Sequence, residues 1–125
     1  MRRFVAVAFG ALVAVMTGWT GGAMAQNAEA FLAGTIKDCP GCNLSGAKLK
    51  RRNLAGADLS GANLTGATFH RSNLRGANFS GADLTDANLN KTELLQANFS
   101  RAKMKGAMLF EAEAGRADFT GADLT

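Results

Sequence analysis

An all-β solenoid is the fold class this sequence predicts, and three observations carry the prediction. From Cys42 to Thr125 the chain runs as seventeen five-residue units in one frame, the last lacking only its fifth residue. The central residue is Leu, Phe or Met in sixteen of them, with Ala114 the exception, and the residue two before it is nearly always Ala. A period of five also fits neither regular element. On a helix it advances about 500° per unit and draws no stripe. On a continuous strand an odd period throws the central residue to alternate faces.

The chain must therefore bend once per unit. Within Ala-Asn-Leu the first and third side chains point the same way when the backbone is extended. The Ser/Thr-Gly that follows supplies a turn, because Gly accepts backbone angles that other residues resist. Each unit reads as a very short strand plus a corner, with Leu and Ala inward and Asn/Asp, Ser/Thr and Gly outward. Stacked repeats of this kind share one continuous core.

The 125 residues divide at two points. Residues 1–25 have the layout of a secretory signal: Arg2 and Arg3, then the apolar run VAVAFGALVAVM, then Ala23-Met24-Ala25 in the form of a cleavage site. The run is short for a membrane span, so the expected mature chain begins at Gln26 and lies in the periplasm or outside the cell. Residues 26–41 are expected to form a cap segment, and residues 42–125 the repeat domain. Without Arg2 and Arg3 the chain has 12 Lys and Arg against 10 Asp and Glu, a net of +2. That balance points neither to a nucleic-acid binder nor to an acidic mimic of one.

In the cap segment, NAEAFLAG (27–34) suits a short helix, with Asn27 able to cap its start and Gly34 its end. Phe31, Leu32 and Ile36 offer an apolar side that would cover the top of the solenoid. Cys42 stands at the inward small position of the first unit. Counting five back from Leu44 places Cys39 at the preceding central position. Both thiols then point into the open end of the stack, and Pro40-Gly41 favours a tight turn between them. The pair reads first as a disulfide clasp, as an oxidising compartment would allow. A redox-active pair, or a zinc site shared by two chains, are the alternative readings.

The units ADLSG, ANLTG, ANFSG and ADLTD carry the A-(D/N)-L-x-x signature, and over residues 42–125 the chain strongly resembles the pentapeptide-repeat proteins. The resemblance implies a right-handed quadrilateral β-helix, four units to a coil. Seventeen units would make a little over four coils, a rod about 20 Å long at ordinary strand spacing. It also implies that the Cys-Pro-x-Cys lead-in is a cap, as in exported members. It does not imply one function, because function lies on outward positions that vary freely.

A four-unit coil stacks residues twenty apart. Leu44, Leu64, Leu84, Met104 and Leu124 form one inner column, and Leu59, Phe79, Phe99 and Phe119 another, expected to be a ladder of rings. The third face departs from the pattern. Its small inward positions are Arg52, Ser72, Thr92 and Ala112, and Ala114 is expected to leave a gap. Arg52 is expected to tip outward, since a buried unpaired charge is very costly.

One outward column holds Arg51, Arg71, Lys91 and Glu111, with Lys50, His70 and Asn90 beside it. Lys48, Arg52 and Arg75 are placed near the same corner. Like charges stacked at about 5 Å repel, which a bound anion would relieve. Lys50, Arg51, Arg71 and Lys91 are therefore the candidate anion-binding ridge, for a polyanionic glycan, a phosphate-rich surface or an acidic protein. No catalytic, cofactor or metal residues are expected. The small inward positions are mostly Ala, His70 has no nucleophile beside it, and Asp58, Asp83, Asp118 and Asp123 read as solvating groups. A non-enzymatic scaffold is the expected class, with thiol-disulfide or metal handling as its alternative. The best-known members resemble duplex DNA and inhibit DNA gyrase, and a slightly basic exported chain does not fit that role. The last coil, with Phe119 and Leu124, is expected to pair end to end with a second copy.

Overall fold

A computed structural model describes residues 20–125. The charged start and apolar run of the expected export signal, residues 1–19, lie outside the described residues. No helix among the described residues is long and apolar enough to cross a membrane.

From Asn43 to Asp123 the chain winds as a solenoid with a twenty-residue turn. Every β-bridge is parallel and joins a residue to the one twenty further on, from Asn43 with Asn63 to Lys103 with Asp123. Four residues in each coil make such bridges: Asn43, Lys48, Asn53 and Asp58 in the first. We number the four faces 1 to 4 in that order. The central N–H donates down to the next coil (Leu44 N to Asn63 O, 2.7 Å). The bridging N–H of that coil donates back up (Asn63 N to Cys42 O, 2.8 Å). Each expected strand has shrunk to one bridging residue, because the corners on either side use the rest of the five.

At each corner the last residue of the unit adopts the left-handed conformation, as at Gly46 (φ 70°) and Gly66 (φ 70°). The next inward N–H then closes the turn onto the preceding central carbonyl, as in Ala47 N to Leu44 O at 3.0 Å. The recurrent Asn/Asp also has a structural cause. Its Oδ1 accepts from the backbone N–H two residues on, as in Asn63 with Thr65 (3.1 Å) and Asn98 with Ser100 (2.9 Å). Asp58, Asp83, Asp118 and Asp123 do the same and so brace turns, where the sequence suggested only solvation. The hydroxyl and N–H of Thr85, Thr120 and Thr125 hold the carboxyls of Asp83, Asp118 and Asp123 below the usual range.

Leucine, phenylalanine and alanine columns fill the interior. Phe79, Phe99 and Phe119 stack with ring centroids 5.0 Å apart at each step and planes within 4° of parallel. Phe69 meets Phe79 edge-on at 5.7 Å.

Helix α1 (Thr20–Ala33) closes the top. It starts seven residues before the expected Asn27, since Ala, Met and Gln of residues 23–26 are good helix formers. Its end is a Schellman turn: Gly34 (φ 86°) donates to Phe31 O at 3.0 Å and Thr35 donates to Ala30 O at 2.9 Å. Phe31 is fully buried and joins the solenoid core, whereas Leu32 and Ile36 remain exposed.

The coil geometry already begins at Asp38, ahead of the first recognisable unit. Cys39 N donates to Asp58 O and Gly41 N to Ser60 O, each at 2.8 Å, and Asp38 Oδ1 accepts from Asp58 N. Cys39 thereby tops the column of Leu59, Phe79, Phe99 and Phe119.

Candidate interaction surface

The corner between faces 2 and 3 differs from the other three. Gly46, Gly66 and Gly106 serve the first corner with Asp86, Gly56 and Gly76 the third with Gln96 and Arg116, and Gly41, Gly61, Gly81 and Gly121 the fourth with Arg101, so only the second has no glycine in any coil. At the second corner Arg51, Arg71, Lys91 and Glu111 take the same left-handed conformation, with φ of 56°, 61°, 59° and 58°. That conformation costs an L-residue about 1–2 kcal/mol. It is adopted here in every coil, and by long charged side chains.

Ser72 and Thr92, the buried hydroxyls of the adjoining inward column, fit this corner. Ser72 Oγ donates to Leu49 O (2.6 Å) and accepts from Arg52 N (3.0 Å), so it stands where a turn hydrogen bond would close. Thr92 Oγ1 donates to Leu89 O at 2.7 Å. The irregular third face is thus the hydrogen-bonding lining of the glycine-free corner. The sequence showed the irregularity without its purpose.

The structure brings Lys50, Arg51, Arg71 and Lys91 together around His70. Loss of hydration lowers the His70 pKa from its ordinary value, and Arg71, Lys91, Lys50 and Arg51 add to the effect in that order. Lys91 is partly neutralised by Glu111, 3.3 Å away. Face 2 and this corner carry Lys48, Lys50, Arg51, Arg71 and Lys91 against Glu111 alone, a net of +4, while the rest of residues 26–125 sums to −2. The small overall charge of the chain conceals a one-sided distribution.

Two cations that the sequence grouped with the ridge lie elsewhere. Arg52 does not tip out into water. Its guanidinium donates to the carbonyls of Phe31 (3.0 Å) and Leu32 at the end of α1, where a cation also suits the helix dipole. The partner that its position demanded is the cap itself. Arg75 belongs to the next corner, where with Arg116, Leu95, Gln96 and Gly115 it lines a shallow notch of about 240 Å³. Ala114, where a gap was expected, is half-buried against the core and does not line this notch.

Sequence reasoning passed over Met108 and Phe110. Both point outward from the last unit of face 2, with 46% and 65% of their surface exposed. The signal was present: in AMLFE two apolar residues occupy positions that are polar in nearly every other unit.

Cys39 and Cys42 bring their Sγ atoms within bonding distance, with Cα atoms 5.5 Å apart, and are 0% and 1% exposed. Among the described residues no group of three His, Cys, Asp or Glu is placed to hold a metal ion.

The pentapeptide-repeat family model matches eight copies, over residues 42–81, 77–113 and 96–125. The pentapeptide-repeat protein Rfr23 of the cyanobacterium Cyanothece 51142 has a similar structure. The two are 22% identical, with a TM-score of 0.55 over 82% of this chain and 95% of that one. Two further matches, with lower TM-scores, are alr5209 of Nostoc PCC 7120 (35% identity, TM-score 0.30, 80% and 74% covered) and QnrB1 (18%, 0.44, 70% and 60%). The first is a pentapeptide-repeat protein and the second a plasmid-mediated fluoroquinolone resistance protein. No curated relative matches the sequence. Twenty-residue coils, inward Leu/Phe columns, Asn/Asp-braced turns and a family match across residues 42–125 make this chain a member of the pentapeptide-repeat family.

Proposed function

We propose that this chain is an exported, non-enzymatic scaffold that binds an anionic partner through Lys50, Arg51, Arg71 and Lys91. Its body is a right-handed quadrilateral β-helix of a little over four coils. The observation that carries the reading is the glycine-free corner. Four residues accept an unfavourable backbone conformation, and three of them are cations beside Lys50 and His70. A merely solvated edge has no need of this in every coil, since each of the other corners is served by glycine in at least two coils. The signal-like residues 1–25 support export. The net charge of face 2 has the wrong sign for a mimic of DNA.

Retention on heparin tests the ridge. The native chain is expected to elute at clearly higher salt than Arg51→Ala/Arg71→Ala/Lys91→Ala, because each lost cation weakens the salt-dependent attraction. Equal retention of the two overturns the reading.

The buried cysteine pair fits a clasp that fixes the first turn beneath α1 better than a working redox centre, which needs an accessible sulfur. Alkylation of the unreduced, denatured chain is expected to add no label to Cys39 or Cys42 by intact mass. Two labels would return the pair to the list of active thiols.

A further inference from the structure

The basic ridge occupies the upper coils of face 2, and the exposed pair Met108 and Phe110 occupies the lowest coil of the same face. Met108 stands in the outward column below Lys48, Thr68 and Asn88. Phe110 stands below Lys50, His70 and Asn90. Two coils separate Arg71 from Glu111, the neighbour of Phe110, so cations and apolar groups lie about 10 Å apart at ordinary strand spacing. They project from one flat side. Asn90 Oδ1 accepts from the Phe110 N–H at 2.7 Å, which ties the backbone of the apolar unit to the coil above. Glu111, which would oppose an anion there, is held by Lys91.

We propose that face 2 lies flat on an anionic lipid bilayer, with Met108 and Phe110 in the boundary between headgroups and acyl chains and Lys48, Lys50, Arg51 and Arg71 over the headgroup phosphates. This rests on the anion-binding reading of the ridge and names its partner. A soluble polyanion would use the cations and leave Met108 and Phe110 in water. A folded protein partner would be expected to meet a pocket or ridge of complementary shape, and neither the notch at Arg75 nor the cleft beside α1 (Gly34 to Lys37 with Arg52 to Leu54) is built from this face. A bilayer needs no fixed complementarity. It asks for a positive face carrying a few large apolar side chains.

The test compares sedimentation of the purified chain with vesicles of phosphatidylglycerol in phosphatidylcholine and with phosphatidylcholine alone. The N-terminus is first defined by intact mass, and the excess binding due to the anionic lipid is read. Met108→Thr/Phe110→Ser restores the polar residues usual at these positions, so its fold is checked only by circular dichroism. That variant is expected to bind the anionic vesicles about tenfold more weakly than the native chain while keeping its heparin retention. Phe110→Trp is expected to give a blue-shifted emission with the anionic vesicles alone. If the native chain is retained by heparin but shows no excess for anionic vesicles, the bilayer is overturned, the ridge reading stands, and a glycan or acidic protein takes its place. Undiminished vesicle binding by Met108→Thr/Phe110→Ser also overturns the bilayer proposal. Loss of both heparin and vesicle binding in the native chain overturns the ridge itself.

Discussion

Phe99→Ala is expected to lower stability by about 3–5 kcal/mol, the largest effect of any single core substitution here. Phe99 is fully buried and stacked on both sides, at 5.0 Å from Phe79 above and 5.0 Å from Phe119 below. Parallel rings one coil apart leave no side chain free to swing into the space that alanine would open. The cavity term therefore adds to the lost transfer energy instead of being relieved by collapse. Position matters too. In a solenoid each coil contacts only its neighbours, so a fault in the middle uncouples the coils on its two sides. Phe119→Ala, at a half-buried ring stacked on one side, is expected to cost less than half as much. Urea unfolding of the two variants beside the native chain measures the difference. Equal losses at the two positions would show that the ladder is not what holds the coils together.

The fold was legible because the five-residue period is a geometric statement. Once Leu and Ala share a side and a turn follows, a stack of short strands is determined; the resemblance to the pentapeptide-repeat proteins then implied four units to a coil, and the Phe79, Phe99, Phe119 ladder formed where that spacing placed it. The same counting put Cys39 and Cys42 inside the first turn. What the pattern could not show depended on partners outside it. Arg52 was read as an unpartnered charge because nothing in a pentad announces that α1 ends above it and presents free carbonyls. Its neighbour Ser72 looked like an irregular alanine, since the hydroxyl bridges two groups of the coil above, twenty and twenty-three residues back. Arg75 was drawn to the ridge by nearness in sequence, although one corner separates them. In Met108 and Phe110 the missing step was different. Large apolar residues in a repeat are read as core, and only the position within the unit shows that these two face out.

Arg51→Gly/Arg71→Gly is expected to move stability and binding in opposite directions, which separates a functional ridge from a structural one. Arg51 and Arg71 sit at φ of 56° and 61°, where an L-residue loses about 1–2 kcal/mol relative to glycine. Glycine returns part of this by raising the entropy of the unfolded chain, about 0.4–1 kcal/mol per site. The net gain is then about 1–2 kcal/mol for the pair, a rise of several degrees in Tm for a domain of this size. Binding to heparin should fall over the same change, with the slope of log affinity against log salt shrinking by nearly one for each cation removed. The converse substitution, Gly61→Arg, places a cation at the fourth corner, diagonal to the ridge, where φ is 66° and a new Cβ would meet nothing within 4 Å. It should cost stability through the backbone alone and leave heparin retention close to native, because it adds charge on a side away from Arg71 and Lys91. If the glycine pair were less stable than the native chain, the cations would be supporting the fold and the corner would need no ligand to explain it. A glycine pair that is more stable and still retained as before would place the anion site elsewhere on the rod. Only the combination of higher Tm and weaker retention fits a corner whose residues are kept for what they bind, against the preference of the backbone that carries them.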